Sequence, residues 1–145
     1  GVATDAALRA ADGGRPFLGI CVGLQLLYEG SRECPDVRGL GVMDGRVELL
    51  SGDVKRPPMQ WNRLEPRVDH AMFEGLGGEP WTYFVHSYAP PVGPDTVATC
   101  RYGDEVCAAI ARGNLWACQF HPEKSGDTGL RILSNFVAGL ASVAA

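Results

Sequence analysis

Lysine and arginine never gather into a block in this chain of 145 residues, whose formal net charge is −4 with a pI near 5.3. That leaves no patch to neutralise a nucleic-acid backbone or an anionic membrane. Long apolar runs are missing too. The longest, Phe136 to Ala145, is too short to span a bilayer and is rich in small residues. No two cysteines form a CxxC pair, and the five at 21, 34, 100, 107 and 118 are an odd set. That argues against a disulfide framework and a structural zinc site, and fits a reducing compartment such as the cytoplasm. No metal-ligand spacing and no paired carboxylates at acid–base spacing occur, so no cofactor is expected. Repeats and low-complexity segments are also missing. What remains, 46% hydrophobic and 21% charged residues, describes one ordinary domain over residues 1–145.

One stretch organises the rest. Pro16 to Gln25 reads PFLGICVGLQ. Phe17, Leu18 and Ile20 predict a buried strand, and Leu24 to Tyr28 an apolar helix closed by Gly30. Between them, Cys21 is flanked two positions away by Gly19 and Gly23. A nucleophile between two glycines on a strand-to-helix turn is the nucleophile elbow, with cysteine in place of serine. A turn so tight predicts that side chains at 19 and 23 would collide with neighbouring backbone. The helix N-terminus would favour thiolate over thiol. The Val22 N–H would point into the same space as an oxyanion donor. A lone cysteine reads first as core; the two glycines, the strand before and the helix after favour the nucleophile.

In chain order, Thr4 or Asp5 caps a first helix that Gly13-Gly14 ends. The elbow helix runs to about Gly30, and Ser31 to Leu40 is a loop. Gly41 to Leu50 is a strand pair or a bulged strand around Asp44-Gly45. Ser51 to Pro58 is a loop. Met59 to Leu64 is extended, and Ala71 to Leu76 holds one helical turn. Trp81 to Val85 is the most strand-prone run. Thr96 to Arg101 and Val106 to Arg112 are strands, and Gly113-Asn114 turns into a return strand over Leu115 to Phe120. Asp127 caps a last helix in which Leu130, Leu133, Val137 and Leu140 recur at helical spacing. This order predicts an α/β fold whose later strands are partly antiparallel.

The partner for Cys21 comes 100 residues later, where Gln119-Phe120-His121-Pro122-Glu123-Lys124-Ser125 follows a strand. In extended chain His121 and Glu123 share a face, and Pro122 stiffens the pair. A carboxylate beside an imidazole fixes its tautomer and stabilises the imidazolium. Cys21, His121 and Glu123 therefore form a candidate triad for acyl transfer. Alone, His-Pro-Glu also fits a solvated loop. His70 reads as a surface residue, and His86 as a core or site histidine.

These residues resemble the class I glutamine amidotransferases of the Cys-His-Glu type, over almost the whole chain. The resemblance is closest to the glutaminase subunits of imidazole glycerol phosphate synthases. It rests on Leu18 to Gln25, on Met59-Gln60-Trp61-Asn62, on Tyr83-Phe84-Val85-His86-Ser87-Tyr88 and on Gln119 to Gly126. The resemblance implies a three-layer sandwich around a mixed, mostly parallel sheet. Cys21 would attack the side-chain amide of glutamine, and water would hydrolyse the thioester to glutamate. Val22 would supply an oxyanion donor. Gly23, Gln25, Ser87 and Tyr88 would hold the amino-acid end. Ammonia would pass to a cyclase subunit with a (β/α)8 barrel, in a heterodimer whose interface takes in Trp61, Asn62, Tyr83 and Lys124.

From the residues alone, Trp61 and Tyr83 fit a core as well as an interface, and Lys124 fits a solvated charge. Two departures stand out. Pro58-Met59-Gln60 replaces the family's usual His-Met-Gly. The first strands and the Gly-rich loop with the second oxyanion donor fall before this sequence, so a truncated sheet with exposed edges and low activity is expected of these residues alone. The rival readings are another class I amidotransferase, a non-catalytic interaction module, and a cysteine peptidase or esterase on a similar elbow.

Overall fold

The computed structural model describes residues 2–50, 59–86 and 88–144. A first helix α1 (Val2–Ala11) leads to strand β1 (Phe17–Ile20) and a short helix α2 (Val22–Gln25). Three strands follow, β2 (Gly30–Ser31), β3 (Cys34–Arg38) and β4 (Arg46–Leu49). Next come β5 (Met59–Arg63), β6 (Glu65–Pro66), a 3-10 turn (Ala71–Phe73), β7 (Trp81–Val85) and β8 (Tyr88–Ala89). The chain closes with β9 (Thr96–Tyr102), β10 (Asp104–Arg112), β11 (Leu115–Cys118), a second 3-10 turn (Pro122–Lys124) and helix α3 (Gly126–Ala144).

The central sheet has five strands in the order β1-β11-β10-β9-β6. Alternation along its strands sends side chains to two cores. Leu115 and Ala117 face Ala7, Ala10, Leu24 and Leu27 of α1 and the elbow segment. Trp116 and Cys118 face the other way, toward Ile132 of α3, Met72 and Phe84. Helices therefore cover both faces, giving three layers. Trp116 also meets Phe136 of α3 edge to face, with ring centroids 5.5 Å apart.

The sheet is mixed, but its balance departs from the expectation of mostly parallel strands. β1 and β11 run parallel, whereas β11–β10, β10–β9 and β9–β6 are antiparallel. The cause is local. Gly103 (φ 79°) and Gly113 (φ 57°) turn the chain back within one or two residues, and strands joined so tightly can only pair antiparallel. A Cβ at Gly113 would also lie 2.5 Å from the Ala11 carbonyl oxygen. Asn114 completes this junction. Its N–H bonds the Ala10 carbonyl at 2.7 Å and its side chain donates to Gly13 and Gly14, so the hairpin also stops α1.

Several local expectations are corrected. Thr4 and Asp5 lie inside α1, and Asp127 inside the first turn of α3, because each helix begins earlier than its candidate cap. α2 ends at Gln25 rather than near Gly30, since Gly30 pairs with Arg46 in a second sheet ordered β3-β2-β4-β8. The expected loop from Ser31 to Leu40 contains β3, an exposed strand held by backbone pairing to β2. Around Asp44-Gly45 there is a single strand, β4, after a turn at Gly45 (φ 105°). The expected loop over Ser51 to Pro58 lies outside the described residues. On α3, Leu130, Val137 and Leu140 are exposed, while Gly129 and Ile132 are buried. The helix turns this face inward because it packs on the two 3-10 turns, where a Cβ at Gly129 would collide with the Pro122 carbonyl. Among the described residues, no helix is long and apolar enough to cross a membrane.

Candidate active site

β1 and β11 end side by side. Leu18 pairs with Trp116, Ile20 with Cys118, and the Cys21 N–H bonds the Cys118 carbonyl at 2.8 Å. Parallel strands deliver both carboxyl ends to the same edge, so the elbow and the segment from Gln119 to Glu123 leave the sheet together. Cys21 has φ 52° and ψ −105°, and among the described residues it alone combines a side chain with positive φ. Such a conformation costs about 1–3 kcal/mol and persists where the surroundings enforce it. The enforcement is visible. The Leu24 and Gln25 N–H groups both bond the Cys21 carbonyl, at 3.0 and 3.2 Å. A Cβ on Gly19 would lie 3.0 Å from the Gly23 backbone. Gly23 itself differs from expectation, since a Cβ there meets nothing within 4 Å beyond its chain neighbours and its own helix backbone. Its missing side chain leaves open space beside Cys21 rather than relieving a clash with the rest of the fold.

The thiol donates to the Val85 carbonyl at 3.9 Å and accepts from Gln119 Nε2 at 3.7 Å. Among the described residues, no hydrogen bond joins it to His121. Burial pushes the Cys21 pKa above the ordinary 9.0; the Val22 N–H and the Gln119 amide act against burial, and the Glu123 charge adds to it. The expected thiolate bias is therefore overturned for the resting site. A helix of one turn adds little macrodipole, and desolvation wins. With a raised pKa the thiol is neutral at pH 7, and the thiolate fraction grows about tenfold per pH unit up to that pKa. Alkylation of Cys21 by iodoacetamide should therefore still be accelerating at pH 9. A rate that levels off below pH 8, followed by peptide mapping, would contradict this.

His121 and Glu123 do come together, with Nδ1 and Oε1 2.7 Å apart. This leaves Nε2 as the nitrogen free to exchange protons. The loop that carries them is pinned by Ser125, whose buried hydroxyl donates to the His121 carbonyl at 2.6 Å and accepts the Tyr83 N–H at 2.9 Å. The His121 N–H in turn bonds the Tyr83 carbonyl at 2.9 Å. Ser125→Ala strands two of these groups, so it should cost about 1–3 kcal/mol. A denaturant midpoint unchanged from the parent would refute that.

The remaining candidates fall into two groups. Gln25 donates to the Tyr88 carbonyl at 3.0 Å and lines a cleft of about 190 Å³ with Val22, Leu26, Glu33 and Arg38. Glu33 and Arg38 gave no signal in the sequence, since both fell in an expected loop. Ser87 lies outside the described residues. A larger open groove of about 800 Å³, lined by Leu64, His70, Phe73 and Leu76 among others, holds none of these groups. The second group lies on the β5–β7 ribbon. The register Trp61↔Tyr83 and Arg63↔Trp81 puts these four residues on one face. Trp61 is 51% and Trp81 47% exposed, so the core alternative for Trp61 fails. Trp61 and Tyr83 meet edge to face at 5.7 Å. Asn62 lies on the opposite face and donates to the Arg101 carbonyl at 2.6 Å. Lys124 is exposed beside Glu123.

The other histidines are spoken for. His86 is buried, with Nδ1 2.8 Å from the Tyr88 carbonyl oxygen, and burial lowers its pKa. His70 is half-buried rather than a surface residue. It accepts the Met72 N–H at 3.0 Å and meets Trp116 edge to face at 5.1 Å. Of the other cysteines, burial pushes Cys100 up to about 12, Cys107 up to about 11 and Cys118 higher still, so all three are inert thiols. Cys34 is exposed, because β3 stands at the rim of the small sheet.

Residues 2–140 match the family model described as glutamine amidotransferase class-I. The chain is 49% identical over 138 residues to the imidazole glycerol phosphate synthase subunit HisH of Deinococcus radiodurans, covering 92% of this chain and 64% of that protein. The subunit of the same name from Synechococcus elongatus is 47% identical over 140 residues, again covering 92% and 64%. The chain thus spans about 64% of the length of these curated relatives. Among solved structures, a putative GMP synthase subunit from Thermoplasma acidophilum superposes with a TM-score of 0.66 at 22% identity, covering 97% of this chain and 64% of that one. A glutamine amidotransferase superposes with a TM-score of 0.64 at 24% identity, covering 94% and 69%. These two likenesses bear on the fold alone. The elbow at Cys21, the layered sheet and the matched family model lead to one conclusion: this chain belongs to the class-I glutamine amidotransferases.

Proposed function

We propose that the chain is the glutaminase component of an imidazole glycerol phosphate synthase and works in the cytoplasm. The observation that carries this is the strained Cys21 elbow and the hydrogen-bonded His121–Glu123 pair leaving adjacent parallel strands at one edge. The near-half identity to the HisH subunits supports the specific assignment.

The reaction is glutamine plus water to glutamate plus ammonia. Cys21 Sγ loses its proton to His121 Nε2 and attacks the amide carbon of glutamine. The carbonyl electron pair moves to oxygen, where the Val22 N–H meets it. Collapse of this intermediate breaks the C–N bond, His121 returns its proton to the leaving nitrogen, and ammonia departs from a glutamyl thioester. Water, deprotonated by His121, attacks the thioester, and sulfur leaves as the restored thiol. Glu123 holds the imidazole tautomer and stabilises the imidazolium. Gly23, Gln25 and Tyr88 hold the amino-acid end of the substrate.

The ammonia passes to a cyclase subunit with a (β/α)8 barrel, which closes an imidazole ring. The exposed ribbon face carrying Trp61 and Tyr83, with Lys124 nearby, suits a partner. Exposed aromatics of this kind dominate binding energy at interfaces. Asn62, on the opposite face, supports the ribbon from below.

The test is ammonia release from glutamine, measured with and without a cyclase partner plus its nucleotide ligand. Release that depends on the partner is expected. Release driven equally well by an unrelated acceptor synthase would overturn the pathway assignment and leave the glutaminase chemistry standing.

A further inference from the structure

Gln119 is fully buried, yet it follows directly on the apolar strand β11 and carries an uncharged amide. Its bonds can be ordered from one fixed point. The Tyr88 carbonyl oxygen only accepts, so the Gln25 side chain must present its nitrogen there, at 3.0 Å. The second hydrogen on that nitrogen then meets Gln119 Oε1 at 3.2 Å. With its oxygen so committed, Gln119 turns its own nitrogen to Cys21 Sγ at 3.7 Å. A backbone carbonyl therefore sets the direction of a relay that ends on the nucleophile. The same relay spends both Gln25 N–H groups, leaving Gln25 Oε1 as an acceptor for the cleft.

We propose that Gln119 is a positioning residue that acts in two directions, stabilising the Cys21 thiolate through its N–H and holding Gln25 so that it offers an acceptor to a substrate ammonium. The proposal rests on the reading of Cys21 as nucleophile. The sequence held a signal for it, a polar side chain between Cys118 and Phe120 in a buried strand, but no role followed from that alone.

The titratable groups around the thiol are Glu123 and Cys118, on the strand-end segment that carries Gln119. His121 follows on the same segment, and His86 follows Val85 on the ribbon. Glu123 raises the Cys21 pKa, so the Gln119 amide opposes both this charge and burial. Gln119→Met keeps length and volume but removes the donor and the acceptor. Gln119→Glu keeps an acceptor for Gln25 and sets a negative charge against sulfur.

The experiment is the pH profile of Cys21 alkylation, read by peptide mapping in the protein alone, with KM and kcat for glutamine measured in the presence of the proposed cyclase partner. In Gln119→Met, alkylation at pH 7 should fall about tenfold and KM should rise, with far-UV circular dichroism unchanged. In Gln119→Glu, alkylation should fall further while KM stays near the parent value. An alkylation profile in Gln119→Met that superimposes on the parent overturns the proposal. So does an equal rise of KM in both variants, which would mean general damage to the cleft. The alkylation arm needs no turnover, so it stays informative if the glutaminase reading itself fails.

Discussion

Cys21→Ala is expected to abolish glutamine hydrolysis, by roughly a millionfold when a nucleophile is removed from a concerted triad. The reason is geometric as well as chemical. The elbow gives position 21 a backbone that only the nucleophile's task justifies, and no second thiol can take over. Cys100, Cys107 and Cys118 are buried with raised pKa values, and Cys34, although it lines the cleft with Gln25, stands on β3, outside the elbow and the strand-end segment that carries His121 and Glu123. The fold should survive, since the lost contacts are two weak sulfur bonds. The expected result is therefore a well-folded protein that releases no ammonia from glutamine. Ammonia release within tenfold of the parent rate would show that Cys21 is not the nucleophile.

Glu123→Gln should cost about ten-thousandfold in turnover with little change in stability. A glutamine at 123 still reaches His121 Nδ1 across the present 2.7 Å, but it can donate there. Donation puts the proton on Nε2, the nitrogen that must take one from the thiol. The comparable replacement in a serine triad costs about 10⁴ in kcat for this reason. Stability should move little, because Glu123 is about half exposed and exposed pairs contribute about 0–1 kcal/mol. Measured kcat together with Tm decides the matter. A large fall in both would make Glu123 a structural anchor, and a fall in neither would remove it from the triad.

The sequence was most legible where chemistry constrains several neighbouring residues at once. Gly19, Cys21 and Gly23 announced the elbow, and Cys21 does adopt positive φ. Pro122 between His121 and Glu123 announced the pair, and their side chains do meet. Legibility failed where tertiary partners override local preference. Leu26, Leu27 and Tyr28 favour helix, yet backbone bonds from Leu40, Gly41 and Met43 draw this stretch into turns ahead of β2. Cys34 to Arg38 contains a proline and an aspartate and is exposed throughout, so nothing in its composition marks the strand that backbone pairing makes of it. On α3, helical spacing was read correctly, but spacing cannot say which apolar stripe faces inward. Ile132 does, and Leu130 does not.

The state of the thiol is likewise set by competing local effects. A helix N-terminus argues for thiolate, but with one turn of helix and a half-buried sulfur, burial dominates. The resting Cys21 thiol donates to the Val85 carbonyl. On the proposed reading, substrate would bring Cys21 and His121 into hydrogen-bond reach, as catalytic contacts commonly tighten only in the complex.

The most direct test of Cys21 as the nucleophile of a glutaminase is covalent capture. The protein, with the proposed cyclase partner present, is treated with a glutamine analogue bearing a chloroketone in place of the amide, and its intact mass and peptides are read. One label per chain is predicted, on Cys21, blocked by excess glutamine and lost in His121→Ala. Labelling on the exposed Cys34 instead, or labelling of Cys21 that glutamine does not block, would contradict this assignment.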